Sequence, residues 1–191
     1  MPDTGYPLFC AEPSSAWHLY PQQSIAAWTQ QNALPILPVY SLTERTPESP
    51  LDLEEQLAGP LLKAALQQLP GSYRFPVLPP LRHLPAQWPG QCFTLPAQEA
   101  WRVVEDLIAS VAQSGFKRLL ILHAHPLLAD WLDCVLRDAR IATGLSLYRI
   151  SLEAAGLTPE PSASSADVNP ADRLAHLLTE VYHHSPREAS Q

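Results

Sequence analysis

The stretch Gly115-Phe116-Lys117-Arg118-Leu119-Leu120-Ile121-Leu122-His123-Ala124-His125 decides the fold. Its aliphatic run from Leu119 to Leu122, flanked by the stem of Arg118 and the ring of Phe116, fits a parallel strand covered on both faces. The run ends abruptly in two alternating histidines, which is how a buried strand delivers polar groups to a site at its carboxyl end. His123 and His125 lie two apart, so a continuing strand points both to one face, where neutral imidazole suits a zinc-like ion. The alternative is that one is a hydrogen-bonded histidine at a loop start and the other is exposed.

Helices are expected on both sides of this strand. Pro96 opens one in which Trp101, Val104, Leu107, Ile108 and Val111 recur at three-to-four spacing until Gly115 stops it. Pro126 opens another, with Leu128, Trp131, Leu132 and Val135 facing inward and an end by Gly144, before a strand over Leu145 to Ile150.

Earlier in the chain, Pro21 leads a helix through Asn32, and Leu34 to Tyr40 reads as a strand whose Pro35 and Pro38 favour a sheet edge. The polar segment Ser41 to Leu51 is a loop, and Asp52 caps a helix to about Leu69 that Gly59-Pro60 should break or kink. Tyr73 to Leu78 reads as a further strand, and Pro79 to Thr94 as a long loop. Pro170 opens a last helix through about His183.

This alternation predicts an α/β three-layer sandwich with a mainly parallel sheet, ligands binding at the carboxyl ends of its strands. Residues 21–184 form one domain, after an extended arm over 1–20 and before a disordered tail over 185–191. Residues 155–170 read as a mobile loop.

Composition narrows the function. With 19 acidic against 12 basic residues and a net charge of −7, the 191-residue chain offers no basic surface to nucleic acid or an anionic membrane. Cys10, Cys92 and Cys134 are irregularly spaced and odd in number, so a reducing cytoplasm is expected and no disulfide framework. No leader-like or membrane-spanning segment is evident. Nucleophile-elbow, dinucleotide and phosphate-loop patterns are absent.

The acidic group Glu44, Glu48, Asp52, Glu54 and Glu55 either supplies oxygen ligands at the first strand's end or forms a solvated loop and a favourable first helical turn. Cys92 with His83 is weaker as a thiol site than as structural residues. His183-His184 belongs to a frayed helix end.

The order of these segments resembles the creatininase family of metal-dependent amidohydrolases. Leu37-Pro38-Val39-Tyr40-Ser41 through Glu54 follows, without a gap, the family motif Leu-Pro-Val-Gly-Ser-Thr-Glu-Gln-His-Gly-Pro-His-Leu-Pro-Leu-Gly-Thr-Asp, matching its prolines and Ser41. Trp88-Pro89-Gly90 is similar to its Phe-Pro-Gly-Thr turn, and Gly115 to His125 to its Gly-Phe strand ending in Asn-Gly-His-Gly-Gly-Asn. The likeness covers roughly Trp17 to Gly156.

The resemblance implies a pocket at these strand ends and a homo-oligomer. Carried over by position, a metal-binding glutamate falls on Thr43, a histidine on Arg45, the bridging aspartate on Glu54 and a second histidine on His125. Leu127 stands where some members have a further glutamate, and Ala154-Ala155-Gly156-Leu157 where the family has His-Ala-Gly-Glu. The remaining metal candidates are His125 and Glu54, with Glu44 and His123 behind them. Thr43, Arg45, Trp88 and Leu127 would line the pocket.

The expectation is therefore a creatininase-like protein with an eroded two-metal site, without a cofactor, that binds a small molecule or protein partner. The alternative is an active amidohydrolase with one divalent ion, zinc or manganese, held by Glu44, Glu54 and His125.

Overall fold

The computed structural model describes residues 16–44, 46–156 and 169–184. Arg45, most of the arm expected over 1–20, most of the loop expected over 155–170 and the tail 185–191 lie outside the described residues. Three parallel strands form one sheet in the order β1 (Ile36–Val39), β2 (Arg118–His123), β3 (Ser146–Ser151). Ile36 pairs with Leu120, and the last residues of all three strands share a row, Val39 beside His123 beside Ser151.

Every residue of β2 is buried, as its apolar run requires. Alternation divides its side chains between two layers. Leu119 and Ile121 pack with Trp28 of α1 (Gln23–Gln30), Val104 and Ile108 of α3 (Ala97–Gln113), and Leu132 and Val135 of α4 (Ala129–Thr143). Leu120 and Leu122 pack on the other face with Ala58, Leu62 and Ala65 of α2 (Leu53–Gln67) and Leu174 and Leu178 of α5 (Pro170–His183). The result is the three-layer α/β sandwich that the pattern predicts.

Two elements depart from expectation. Gly59-Pro60 does not interrupt α2, which runs unbroken from Leu53 to Gln67. The residue before a proline is normally kept out of helical geometry by a clash with its own Cβ, and Gly59 has none. Pro60 lies on the exposed side, where a missing N–H matters least.

Tyr73 to Leu78 is not a regular strand. It lies along the outer side of β1 and bonds to it, with Leu34 N–H donating to Arg74 O (2.9 Å), Ile36 N–H to Pro76 O (2.8 Å) and Leu78 N–H to Ile36 O (2.8 Å). Pro76 cannot donate, so a continuous ladder cannot form. Among the described residues no helix is long and apolar enough to cross a membrane.

Arg118, at the base of β2, is only 2% exposed. Its Nη1 donates to Tyr182 O (2.7 Å) in the last turn of α5, and its Nη2 to Asn32 O (2.6 Å) just beyond α1. Its guanidinium also lies 5.1 Å from the centre of the Tyr182 ring. Burial pulls its pKa below the ordinary value, yet an arginine keeps its proton.

No described carboxylate pairs with Arg118. The partial negative charge at two helix carboxyl ends takes that role. Arg118→Lys should lose one of the two carbonyl contacts and Arg118→Met both, each destabilising the fold by about 3 kcal/mol. Urea unfolding measures this, and midpoints equal to wild type would show that the double tether is dispensable.

Candidate functional site

The strand ends converge on a row of polar groups. Beyond β1, Ser41 is fully buried and its N–H donates to Glu54 Oε2 (2.8 Å), which fixes the first turn of α2 against the end of the strand. Thr43 Oγ1 donates to Ser41 Oγ (2.8 Å) and accepts from Trp88 Nε1 (3.3 Å). The Trp88 ring is stacked on His125, with centroids 3.8 Å apart and planes within 8°. Ser41, Thr43, Glu54, Trp88 and His125 are thus linked through successive contacts.

Two loops hold each other in this arrangement. Glu44 N–H donates to Gly90 O (2.8 Å) and Cys92 N–H to Leu42 O (2.7 Å), around an antiparallel bridge between Thr43 and Gln91. Gly90 has φ +83°, and a Cβ there would stand 2.7 Å from Glu44 O. Only glycine combines that backbone with so close an approach. The Trp-Pro-Gly turn therefore sets Trp88 over His125.

His125 lies one residue beyond Ala124, past the end of β2, and is 8% exposed. Its Nδ1 accepts from Leu127 N–H (3.2 Å). In a neutral ring an accepting Nδ1 leaves the proton on Nε2.

His123 is fully buried, and both of its ring nitrogens are hydrogen-bonded. Nε2 accepts from Arg149 Nη1 (2.8 Å), because a guanidinium can only donate, and Nδ1–H donates to His125 O (3.0 Å). Arg149 is itself clamped by Asp133 through Nε (2.7 Å) and Nη2 (3.0 Å). Burial above all pushes the His123 pKa down to about 4, partly offset by its bond to His125 O, with the charge of Arg149 adding a smaller lowering effect.

The other expected residues sit further out. Glu44 is exposed, and Leu127 is 57% exposed. Glu55 is buried and takes a bidentate ion pair from Arg82 (2.7 Å at each oxygen), the main reason the Arg82 pKa is raised. Cys92 Sγ and His83 Nδ1 face the carbonyls of Gly90 and Phe93 rather than each other. His183 meets the Tyr73 hydroxyl at the opposite end of the sheet (2.5 Å). Among the described residues no three His, Cys, Asp or Glu side chains form a metal-ligand group.

Sequence reading missed the Asp133–Arg149–His123 chain and the Glu55–Arg82 pair. A charged residue inside the apolar strand Leu145 to Ile150 was the available signal for Arg149, and nothing local tied it to Asp133.

Two expectations follow. Because His123 has a folded pKa of about 4 against the ordinary 6.5, its contribution is intact above pH 6.5 and is lost as the pH falls toward 4. The loss amounts to roughly 3 kcal/mol. The difference between wild-type and His123→Gln unfolding free energies, measured from pH 7.5 to 4 on metal-free protein, should shrink by about that amount, and a constant difference would remove the buried neutral imidazole from the account. Gly90→Ala should cost about 2 kcal/mol through strain and the clash with Glu44 O; an unchanged denaturation midpoint would show that the loop pairing tolerates a side chain there.

No family model and no curated protein matches the chain. Solved structures do. A creatinine amidohydrolase (creatininase) superposes with a TM-score of 0.60 at 18% identity, over 84% of this chain and 69% of the other. A manganese creatininase gives 0.60 at 19% identity over 76% and 61%, and a creatininase variant complexed with creatine gives 0.58 at 19% over the same shares. This chain spans less than two thirds of the length of the last two proteins. At such identities the likeness lies in architecture: the chain has the creatininase fold.

Proposed function

We propose that this creatininase-fold protein works by binding a small molecule or a protein partner at the carboxyl ends of its strands, without two-metal amide hydrolysis. The carrying observation is the hydrogen bond from Leu127 N–H to His125 Nδ1. A histidine that ligates through Nε2 normally donates its Nδ1–H to a neighbouring acceptor. Here Nδ1 faces a donor, so the favoured neutral tautomer carries its proton where a metal would bind.

The remaining groups support the same reading. Thr43, at the place of a family metal-binding glutamate, offers a neutral hydroxyl already bonded to Ser41 and Trp88. Glu54 holds the Ser41 N–H. These donors do not fit a pair of divalent ions, which require several carboxylates and free imidazole nitrogens to bridge them. The Trp88–His125 stack and the nearby hydroxyls suit a planar polar ligand instead.

A single-metal hydrolase using Glu44, Glu54 and His125 is the competing reading, favoured by the fold shared with a manganese creatininase. It requires exposed Glu44 to swing inward and Glu54 to release Ser41. Metal analysis of protein purified without an affinity tag, together with a creatinine-hydrolysis assay, separates the two. The expected outcome is folded protein with far less than one metal per chain and no turnover. Near-stoichiometric zinc or manganese that disappears in His125→Ala, or creatinine hydrolysis lost in that variant, would overturn the proposal.

A further inference from the structure

The amino end of the sheet holds a cavity unrelated to the residues above. It lies beside the start of β1, has a volume of about 170 Å³, and is lined by Trp28, Leu66, Leu69, Tyr73, Arg74 and Phe75 among others. A cavity of about 150 Å³ is enough to admit a benzene ring. Three aromatic side chains and two leucines supply apolar contacts for such a ring, within a lining whose exposed surface is mainly polar.

The polar groups are unevenly engaged. Pro70 O accepts from Tyr73 N–H, Arg74 O from Leu34 N–H, and Pro76 O from Ile36 N–H. Gly71 O and Tyr73 O accept from Arg74 Nη1. The last carbonyls of α2 are also engaged, Ala65 O by Gln68 N–H and Leu66 O by Leu69 N–H. By contrast, Arg74 Nε and Nη2 and Trp28 Nε1 donate to no described residue, and Arg74 forms no ion pair with a described carboxylate. Apart from Leu69 O and Phe75 O, the lining backbone acceptors are committed, while donors and one positive charge are available. A cationic ligand would meet Arg74, whereas a carboxylate would find a guanidinium fork.

We propose that this cavity binds a small aromatic carboxylate, its ring against Trp28, Tyr73 and Phe75 and its carboxylate at Arg74. The bonds that Arg74 Nη1 donates to Gly71 O and Tyr73 O restrain the guanidinium beside the cavity, so little side-chain freedom is lost on binding. The site is independent of the strand-end pocket, and neither proposal depends on the other.

Benzoate is the probe. The full chain, labelled with ¹⁵N, is titrated with benzoate, with neutral benzamide and with inorganic phosphate at constant ionic strength, following the Trp28 indole N–H signal assigned through Trp28→Phe. Benzoate should shift that signal saturably, while benzamide and phosphate leave it in place. Arg74→Gln should weaken benzoate by about tenfold or more, and Arg74→Lys should restore only part of the loss. Arg74 is exposed, so both variants should fold, and their thermal melts verify it. An unmoved Trp28 signal, equal binding of benzamide, or undiminished binding in folded Arg74→Gln would overturn the assignment.

Discussion

Burial of β2 on both faces is the constraint on which the rest depends. A strand enclosed this way can carry polar side chains only at its two ends, and each must find its partners inside the protein. At the base, Arg118 finds two backbone carbonyls, Tyr182 O in the last turn of α5 and Asn32 O in the turn that follows α1. At the tip, His123 finds the carbonyl of His125 and the guanidinium of Arg149. The central strand is thereby tied to helices on both layers at one end and to its neighbour β3 at the other.

At the carboxyl end the same logic organises the loops. Each polar group is held by another: Ser41 by Glu54, Thr43 by Ser41 and Trp88, the loop of Trp88 by that of Thr43. Such mutual satisfaction gives a defined surface, with an indole stacked on an imidazole as its most distinctive element. It is an arrangement of hydroxyls and rings rather than of converging anions. The creatininase fold thus frames a surface whose chemistry is set by these particular side chains, in keeping with the general separation of fold from site.

The fold was legible because its signals are local and periodic. The apolar run before His123, the three-to-four spacing from Trp101 to Val111, and Asn169-Pro170 at the start of α5 each specify an element through nearby residues. Gly59-Pro60 reads as a break or kink within α2, yet the helix continues through it because Gly59 lacks the Cβ that would clash with the proline ring. Tyr73 to Leu78 reads as a strand, but it forms no regular one, because a continuous ladder needs the N–H that Pro76 lacks.

The site was less legible. Thr43 and His125 could be placed on strand ends, yet their partners lie 45 and 2 residues away and bond through directions that spacing does not encode. The tautomer of His125 depends on a backbone N–H, and the role of His123 on an arginine one strand over.

The proline-rich outer border of the sheet has a further consequence. An unprotected edge strand presents a row of N–H and C=O groups that a second molecule can extend. Along β1 that row is covered by residues 73–78, whose Pro76 has no N–H to offer, and Val77 O is already taken by Trp17 N–H (2.9 Å). The border therefore supplies few groups for another chain to pair with. A border of this kind limits edge-to-edge pairing along β1, and Pro76 contributes to it through the one group that it lacks.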